Sequence, residues 1–187
     1  MLLFAQSGEI NTEETLKIAL DELKRNGGNT LLISSTRGNS AMKALELIPK
    51  GVRLIVVTHS QGFKQPNTNE FSSELRQKLV SEGHVVLTAT HALSGLERSF
   101  RREFGGVYPS EIVANALRLF SQGVKVCVEI AVMAADAGLV RCDEWIVSCG
   151  GTGEGLDTAM VIKPANSSNF FELQVGTILC MPSAYSS

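Results

Sequence analysis

The chain has 187 residues, 44% of them hydrophobic and 19% charged, enough apolar material for the core of one domain spanning 1–187. With 17 basic against 19 acidic residues and a net charge of −2, it lacks the basic surface of a nucleic-acid binder, and no apolar run reaches membrane-spanning length. Cys127, Cys142, Cys149 and Cys180 have neither the paired spacing of a metal site nor the density of a disulfide framework, which points to free thiols in a reducing cytoplasm and to no metal centre.

The apolar start, Met1 to Gln6, is too short for a signal peptide and has no basic flank. Asn11-Thr12-Glu13-Glu14 reads as a helix entry, with Asn11 as cap and Glu14 three residues on. Leu16, Ala19, Leu20 and Leu23 then form one apolar face, and Asn26-Gly27-Gly28 stops the helix. Residues 31–33 make the first buried strand. A second helix follows with Ala41, Ala44, Leu45 and Ile48 as its stripe, and 53–57 is the second strand. The polar loop 58–69 carries Gly62, Phe63 and Pro66. Phe71, Leu75 and Leu79 mark a third helix, and 84–87 a third strand. Strands that are apolar throughout, rather than alternating, belong to a mostly parallel sheet covered on both faces.

Residues 89–106 read as a loop with some helical potential. A helix is expected over 109–120, with Ile112, Val113, Ala116, Leu117 and Phe120 inward, then a more apolar and more buried helix over 124–137. Within that helix Glu129 needs a partner, a Lys or Arg or the rim of a cleft, because an unpaired buried carboxylate is costly. Residues 145–147 form the fourth strand. The strand at 158–162 follows too soon for a parallel crossover, which takes about a dozen residues, so it runs antiparallel. Residues 175–181 add a sixth short strand.

Ligands of open α/β sheets sit beyond the carboxyl ends of the strands. The loops assigned to those ends share a composition. After the first strand come Ser35, Thr36, Arg37, Gly38, Asn39 and Ser40, and a helix begins at once. After the second come Thr58, His59, Gly62 and Phe63, and after the third Thr90 and His91. The fourth is followed by Gly150, Gly151, Thr152, Gly153, Asp157 and Thr158, and the fifth by Lys163. Amides at a helix start, hydroxyls and a guanidinium together suit a phosphate. The same turn also reads as Asn39 capping the helix beside a solvated Arg37. His59 and His91 are either acid–base groups or strand-end residues bonded to neighbouring backbone. Phe63 either stacks on a planar ligand or anchors its loop, and Cys149 is either a reactive thiol before the glycine loop or, as is more common, a buried, inert strand residue. No Walker A or G-x-G-x-x-G pattern is present.

The Ser-Thr-Arg-Gly-Asn-Ser turn, Val-Thr-His-Ser-Gln-Gly-Phe at 57–63, Glu-Ile-Ala-Val-Met-Ala-Ala-Asp-Ala-Gly at 129–138 and Gly-Gly-Thr-Gly-Glu-Gly-Leu-Asp-Thr-Ala at 150–159 resemble a stand-alone, largely archaeal family related in fold to the C-terminal α/β domain of pyruvate kinase. The resemblance implies a three-layer α/β/α sandwich with strand order 3-2-1-4-5 and strand 5 antiparallel, which places residues 36–40 beside residues 150–155. It implies no pyruvate kinase activity, since the catalytic barrel is not part of such a domain. It implies a flavin mononucleotide (FMN) in the cleft, with phosphate on 36–40, the ring among Thr58, His59, Phe63, His91 and 150–152, and Lys163 at the pyrimidine edge. By analogy it also implies a homo-oligomer. The alternative expectation is a non-enzymatic sensor of a sugar phosphate or nucleotide.

Overall fold

The computed structural model describes residues 1–184. In chain order the elements are β1 (Leu2–Phe4), α1 (Thr12–Asn26), β2 (Thr30–Ser34), α2 (Asn39–Leu47), β3 (Arg53–Val57), α3 (Ser73–Ser81), β4 (Val85–Leu87), α4 (Glu97–Phe104), α5 (Pro109–Arg118), α6 (Gln122–Asp136), β5 (Ile146–Gly150), β6 (Thr158–Lys163) and β7 (Gln174–Pro182). They build one sheet in the order β1-β7-β6-β5-β2-β3-β4. The five strands expected in the order 3-2-1-4-5 are β4, β3, β2, β5 and β6, and they stand in that order. β6 runs antiparallel to β5, with Ile146 opposite Ile162 and Gly150 opposite Thr158. The connection over 151–157 is too short to carry a chain back to the other end of the sheet.

The period-two geometry of a strand assigns its neighbours to opposite cores. Leu31 and Ile33 of β2 join Leu16, Ala19 and Leu23 of α1, Ala41 and Ala44 of α2, and Leu75 and Leu79 of α3. Leu32, between them, joins Val124, Val128 and Ala131 of α6 on the other face, with Ile55, Met160 and Ile162. Each fully buried Val, Leu, Ile or Met side chain among them contributes about 1.5–3 kcal/mol. The result is a three-layer α/β/α sandwich, and no helix among the described residues is long and apolar enough to cross a membrane.

α6 is buried along almost its whole length. Its start lies so close to the sheet that a Cβ on Gly123 would stand 2.1 Å from Thr158 Oγ1, and one on Gly150 would stand 2.6 Å from the carbonyl oxygen of Gly123. Glycine at both positions is therefore a condition of this packing.

Four local expectations are corrected or sharpened. β1, which the sequence reading did not find, pairs in parallel with β7, Leu2 opposite Cys180. Asn11 occupies the N-cap of α1 but does not cap it: its Nδ2 donates 2.7 Å to the carbonyl of Gln6 instead. In the region 89–106, read as a loop with some helical potential, that potential is realised as α4. On α5 the buried residue is Ala114, so Ile112, more than half a turn away, and Phe120, beyond the helix end, are 59% and 56% exposed rather than inward.

Candidate functional site

β2 ends at Ser34, and Ser35 N–H still bonds the Val57 carbonyl at 2.9 Å, so the turn that follows leaves from a fixed sheet edge. Gly38 makes the corner at φ +112°, a conformation L side chains avoid, and a Cβ there would also strike Leu75 Cδ2 at 2.5 Å. α2 then begins at Asn39. Asn39 is the first residue of the helix rather than its cap, and Gly38, at the cap position, has no side chain to cap it. Ser35 Oγ accepts one first-turn amide, Ala41 N–H, at 3.4 Å.

A cleft of about 280 Å³ opens beside this turn, at the carboxyl edge of β2 and β5. Of the residues expected to bind a ligand, Ser35, Thr36, Arg37, Asn39, Ser40, His59, Gly151 and Gly153 line it. Arg37 reaches across the mouth to Glu154, Nη1 to Oε1 2.6 Å, joining the two loops through a pair that is half exposed on both sides. A larger groove, of about 640 Å³, lies at the opposite end of the sheet beside Gly28 and Trp145, away from every helix N-terminus that follows a parallel strand.

Other expected residues support the cleft from behind. The Asp157 and Thr158 side chains are fully buried. Asp157 Oδ2 accepts Gly8 N–H at 2.9 Å and Thr152 N–H at 3.1 Å, and its Oδ1 accepts the Thr158 hydroxyl at 2.8 Å. These two residues therefore shape the glycine loop from beneath it. Thr58 is buried with its hydroxyl against Thr88 Oγ1 at 2.7 Å. Lys163 is the clearest correction. Because β6 runs antiparallel, its carboxyl end lies at the amino end of β5, where Lys163 pairs with Gln174 on β7 and stands far from the cleft.

Gly62, Phe63, Thr90 and His91 line a second, smaller cleft of about 160 Å³, with Arg98 and Arg102 of α4. Aromatic rings stand between the two clefts. His59 and Phe63 centroids are 4.0 Å apart, Phe63 and His91 5.3 Å, and the Arg98 guanidinium sits 4.5 Å over the Phe63 ring. Phe63 is thus already packed by protein groups, as a loop anchor is.

His59 and His91 each face a glutamate, whereas His84 Nδ1 accepts Leu54 N–H at 3.2 Å. His59 Nδ1 faces Glu70 Oε2 at 2.8 Å, and His59 Nε2 faces Thr36 Oγ1 at 3.4 Å. Lys64 Nζ lies 2.7 Å from Glu70 Oε1, an ion pair rather than an aligned hydrogen bond. Burial pulls the Glu70 carboxyl upward, but Lys64 and His59 outweigh it and hold Glu70 below the ordinary carboxylate range. Glu70 therefore stays ionised and accepts a hydrogen bond from the Nδ1–H of His59, which leaves Nε2 facing the Thr36 hydroxyl as an acceptor.

His91 is arranged differently. Its Nε2 accepts Ser60 N–H at 3.3 Å, so its proton sits on Nδ1, 3.9 Å from Glu129 Oε2. Glu129 Oε1 accepts Leu93 N–H at 3.0 Å, and its Oε2 is paired with Lys125, four residues earlier on α6. Burial pushes the His91 imidazole down to about 4, against the opposing pull of Glu129, so it is neutral at pH 7. Burial likewise lowers Lys125 from its ordinary value. Glu129 thus has the cationic partner its position demanded.

Sequence reasoning missed Glu70, Lys64 and Glu154. The first two had a signal: in the polar stretch between His59 and Phe71 they are the only charged residues, so a lone acid–base pair stood beside a strand-end histidine.

An open α/β sheet, covered on both faces and cleft at the carboxyl ends of its two central strands between a helix start and a glycine loop, defines an α/β sandwich with one candidate site at that cleft. The chain matches the family model for the pyruvate kinase alpha/beta domain over residues 13–162 and belongs to that family. β1 and β7 lie outside the matched residues.

Proposed function

We propose that this domain binds a phosphorylated small molecule, with the phosphate seated on Ser35, Thr36, Arg37 and Ser40 at the start of α2. The observation that carries the reading is the convergence of that helix start and the 151–155 glycine loop on one polar cleft. Flavin mononucleotide is the ligand that the resemblance to the stand-alone family favours. Its ring would enter toward His59, His91 and residues 150–152, and any redox chemistry would be the flavin's own.

A second reading, a non-enzymatic sensor of a sugar phosphate or nucleotide, is favoured by one specific observation. His59, Phe63 and His91 pack on one another, and Lys163 is elsewhere, so a flavin ring must part that cluster whereas a small sugar phosphate need not. The test is the colour of the purified protein. A yellow protein that releases FMN on denaturation supports the flavin. A colourless protein whose melting temperature rises with a sugar phosphate but not with FMN supports the sensor. In either case Arg37→Ala with Ser40→Ala weakens ligand binding, and unchanged affinity removes the phosphate assignment. We also propose a homo-oligomer, because Phe104, Ile112, Leu119 and Phe120 expose apolar surface around α4 and α5.

A further inference from the structure

We propose that Thr36, His59 and Glu70 form a nucleophile–base–acid relay that hydrolyses small carboxylic esters in the 280 Å³ cleft. The inference stands independently of the phosphorylated ligand above. Three observations carry it. The order of contacts runs from carboxylate to imidazole to hydroxyl: Glu70 Oε2 to His59 Nδ1 at 2.8 Å, and His59 Nε2 to Thr36 Oγ1 at 3.4 Å. The second distance is that of a relay without substrate, which tightens when the reacting group is seated. The Thr36 hydroxyl makes no other hydrogen bond among the described residues, whereas the equivalent nitrogen of His91 is occupied by Ser60 N–H and can serve no such purpose. Finally, all three side chains line one cleft, and α2 begins three residues after Thr36; Ser35 Oγ takes the Ala41 amide, which leaves the Asn39 and Ser40 amides available to a developing oxyanion.

The reaction balances with water as the co-reactant. His59 Nε2 takes the proton of Thr36 as Oγ1 bonds to the ester carbonyl carbon, and the carbonyl oxygen becomes an oxyanion. That oxyanion collapses, the bond to the leaving alkoxide breaks, and the alkoxide departs with the proton held by His59. Water, deprotonated by His59, then attacks the Thr36 ester. The carboxylic acid leaves and Thr36 recovers its proton. Thr36 and His59 are the catalytic residues, and Glu70, which acts through the imidazole, is a positioning residue. The size and polarity of the cleft select esters of short acids.

A fluorophosphonate probe, which forms a stable tetrahedral adduct with an activated hydroxyl, tests the proposal on the full chain. Intact-mass and peptide mass spectrometry should find one adduct, on Thr36. Thr36→Val should abolish it and Thr36→Ser should keep it, with melting temperatures confirming that both variants fold. His59→Asn should slow labelling by about 100-fold or more. Glu70→Gln should lower the maximal labelling rate while leaving the half-saturating probe concentration unchanged, a split that a merely structural role would not produce. p-Nitrophenyl acetate hydrolysis should follow the same ranking. No adduct on the folded wild type, an adduct elsewhere, or equal labelling of Thr36→Val overturns the relay. Stabilisation by FMN or inorganic phosphate without any adduct sinks the relay and leaves the ligand reading standing. Labelling without such stabilisation does the reverse.

Discussion

His59 and His91 leave neighbouring strands at the same end of the sheet, their ring centroids 5.5 Å apart, and each is matched with a glutamate. They are nonetheless opposite in kind. The His91–Glu129–Lys125 group is closed: His91 Nε2 is taken by Ser60 N–H, the Glu129 oxygens by Leu93 N–H and the Lys125 ammonium, Nδ1 faces Glu129 within the group, and burial keeps the imidazole neutral. The His59–Glu70 pair is open: its second nitrogen faces a hydroxyl in a cleft, and its side chain is 30% exposed. A histidine–carboxylate pair therefore says little about function. What the other ring nitrogen meets decides whether the pair holds structure or is available for chemistry.

The strongest way to break this comparison is to remove the cation of the closed group. Lys125→Met leaves Glu129 buried without its partner and should cost about 3–5 kcal/mol in urea unfolding. Adding Glu129→Gln, which removes the charge but keeps an acceptor for Leu93 N–H, should restore most of that loss. A single-variant loss below about 1 kcal/mol would refute the structural role given to this group.

A smaller effect comes from pH. His91 binds its proton at about 4 in the folded protein against 6.5 ordinarily, so between those values the unfolded chain holds the extra proton. Stability from this group is complete above about 6.5 and falls as the pH drops toward about 4, by on the order of 2–3 kcal/mol. This window lies above those of Glu22, Glu70 and Asp136, whose depressed carboxyls lose their contributions at lower pH. Melting curves across that range should show the slope, and His91→Gln should flatten it. The smallest expected effect sharpens the comparison from the other side: His59→Asn should alter unfolding free energy by less than about 1 kcal/mol, because the open pair is partly solvated.

The sheet was legible in the sequence because its signals are local. Apolar runs at β2, β3 and β5 sit between glycine-marked helix ends, and the short 151–157 connection dictates the direction of β6. β1 was not legible: three residues carry no periodicity, and their partner lies near the other end of the chain. The inward face assigned to α5 failed because apolar spacing reports an amphipathic helix without saying what covers its apolar side. At the site, the helix start and glycine loop were visible as composition. Lys163 was misplaced because a loop after an antiparallel strand was grouped with loops after parallel ones. Of the two histidine partners, Glu70 lies in the same loop as His59 and stood out there as charge in a polar stretch, whereas Glu129 was hidden because it reaches His91 from α6 through tertiary folding.

The pairing of β1 with β7 also sets a timetable. During synthesis at roughly 5–20 residues per second, β1 emerges on the order of ten seconds or more before β7 exists. Over that interval the central strands and their helices can assemble, while the earliest strand has no edge to join. Gly8 waits in the same way for the Asp157 carboxylate. A released chain ending before Gln174 would thus hold the glycine loop and the helix start in place but present β6 as a bare edge. Newborn chains would be open to edge-to-edge association until their last strand is made.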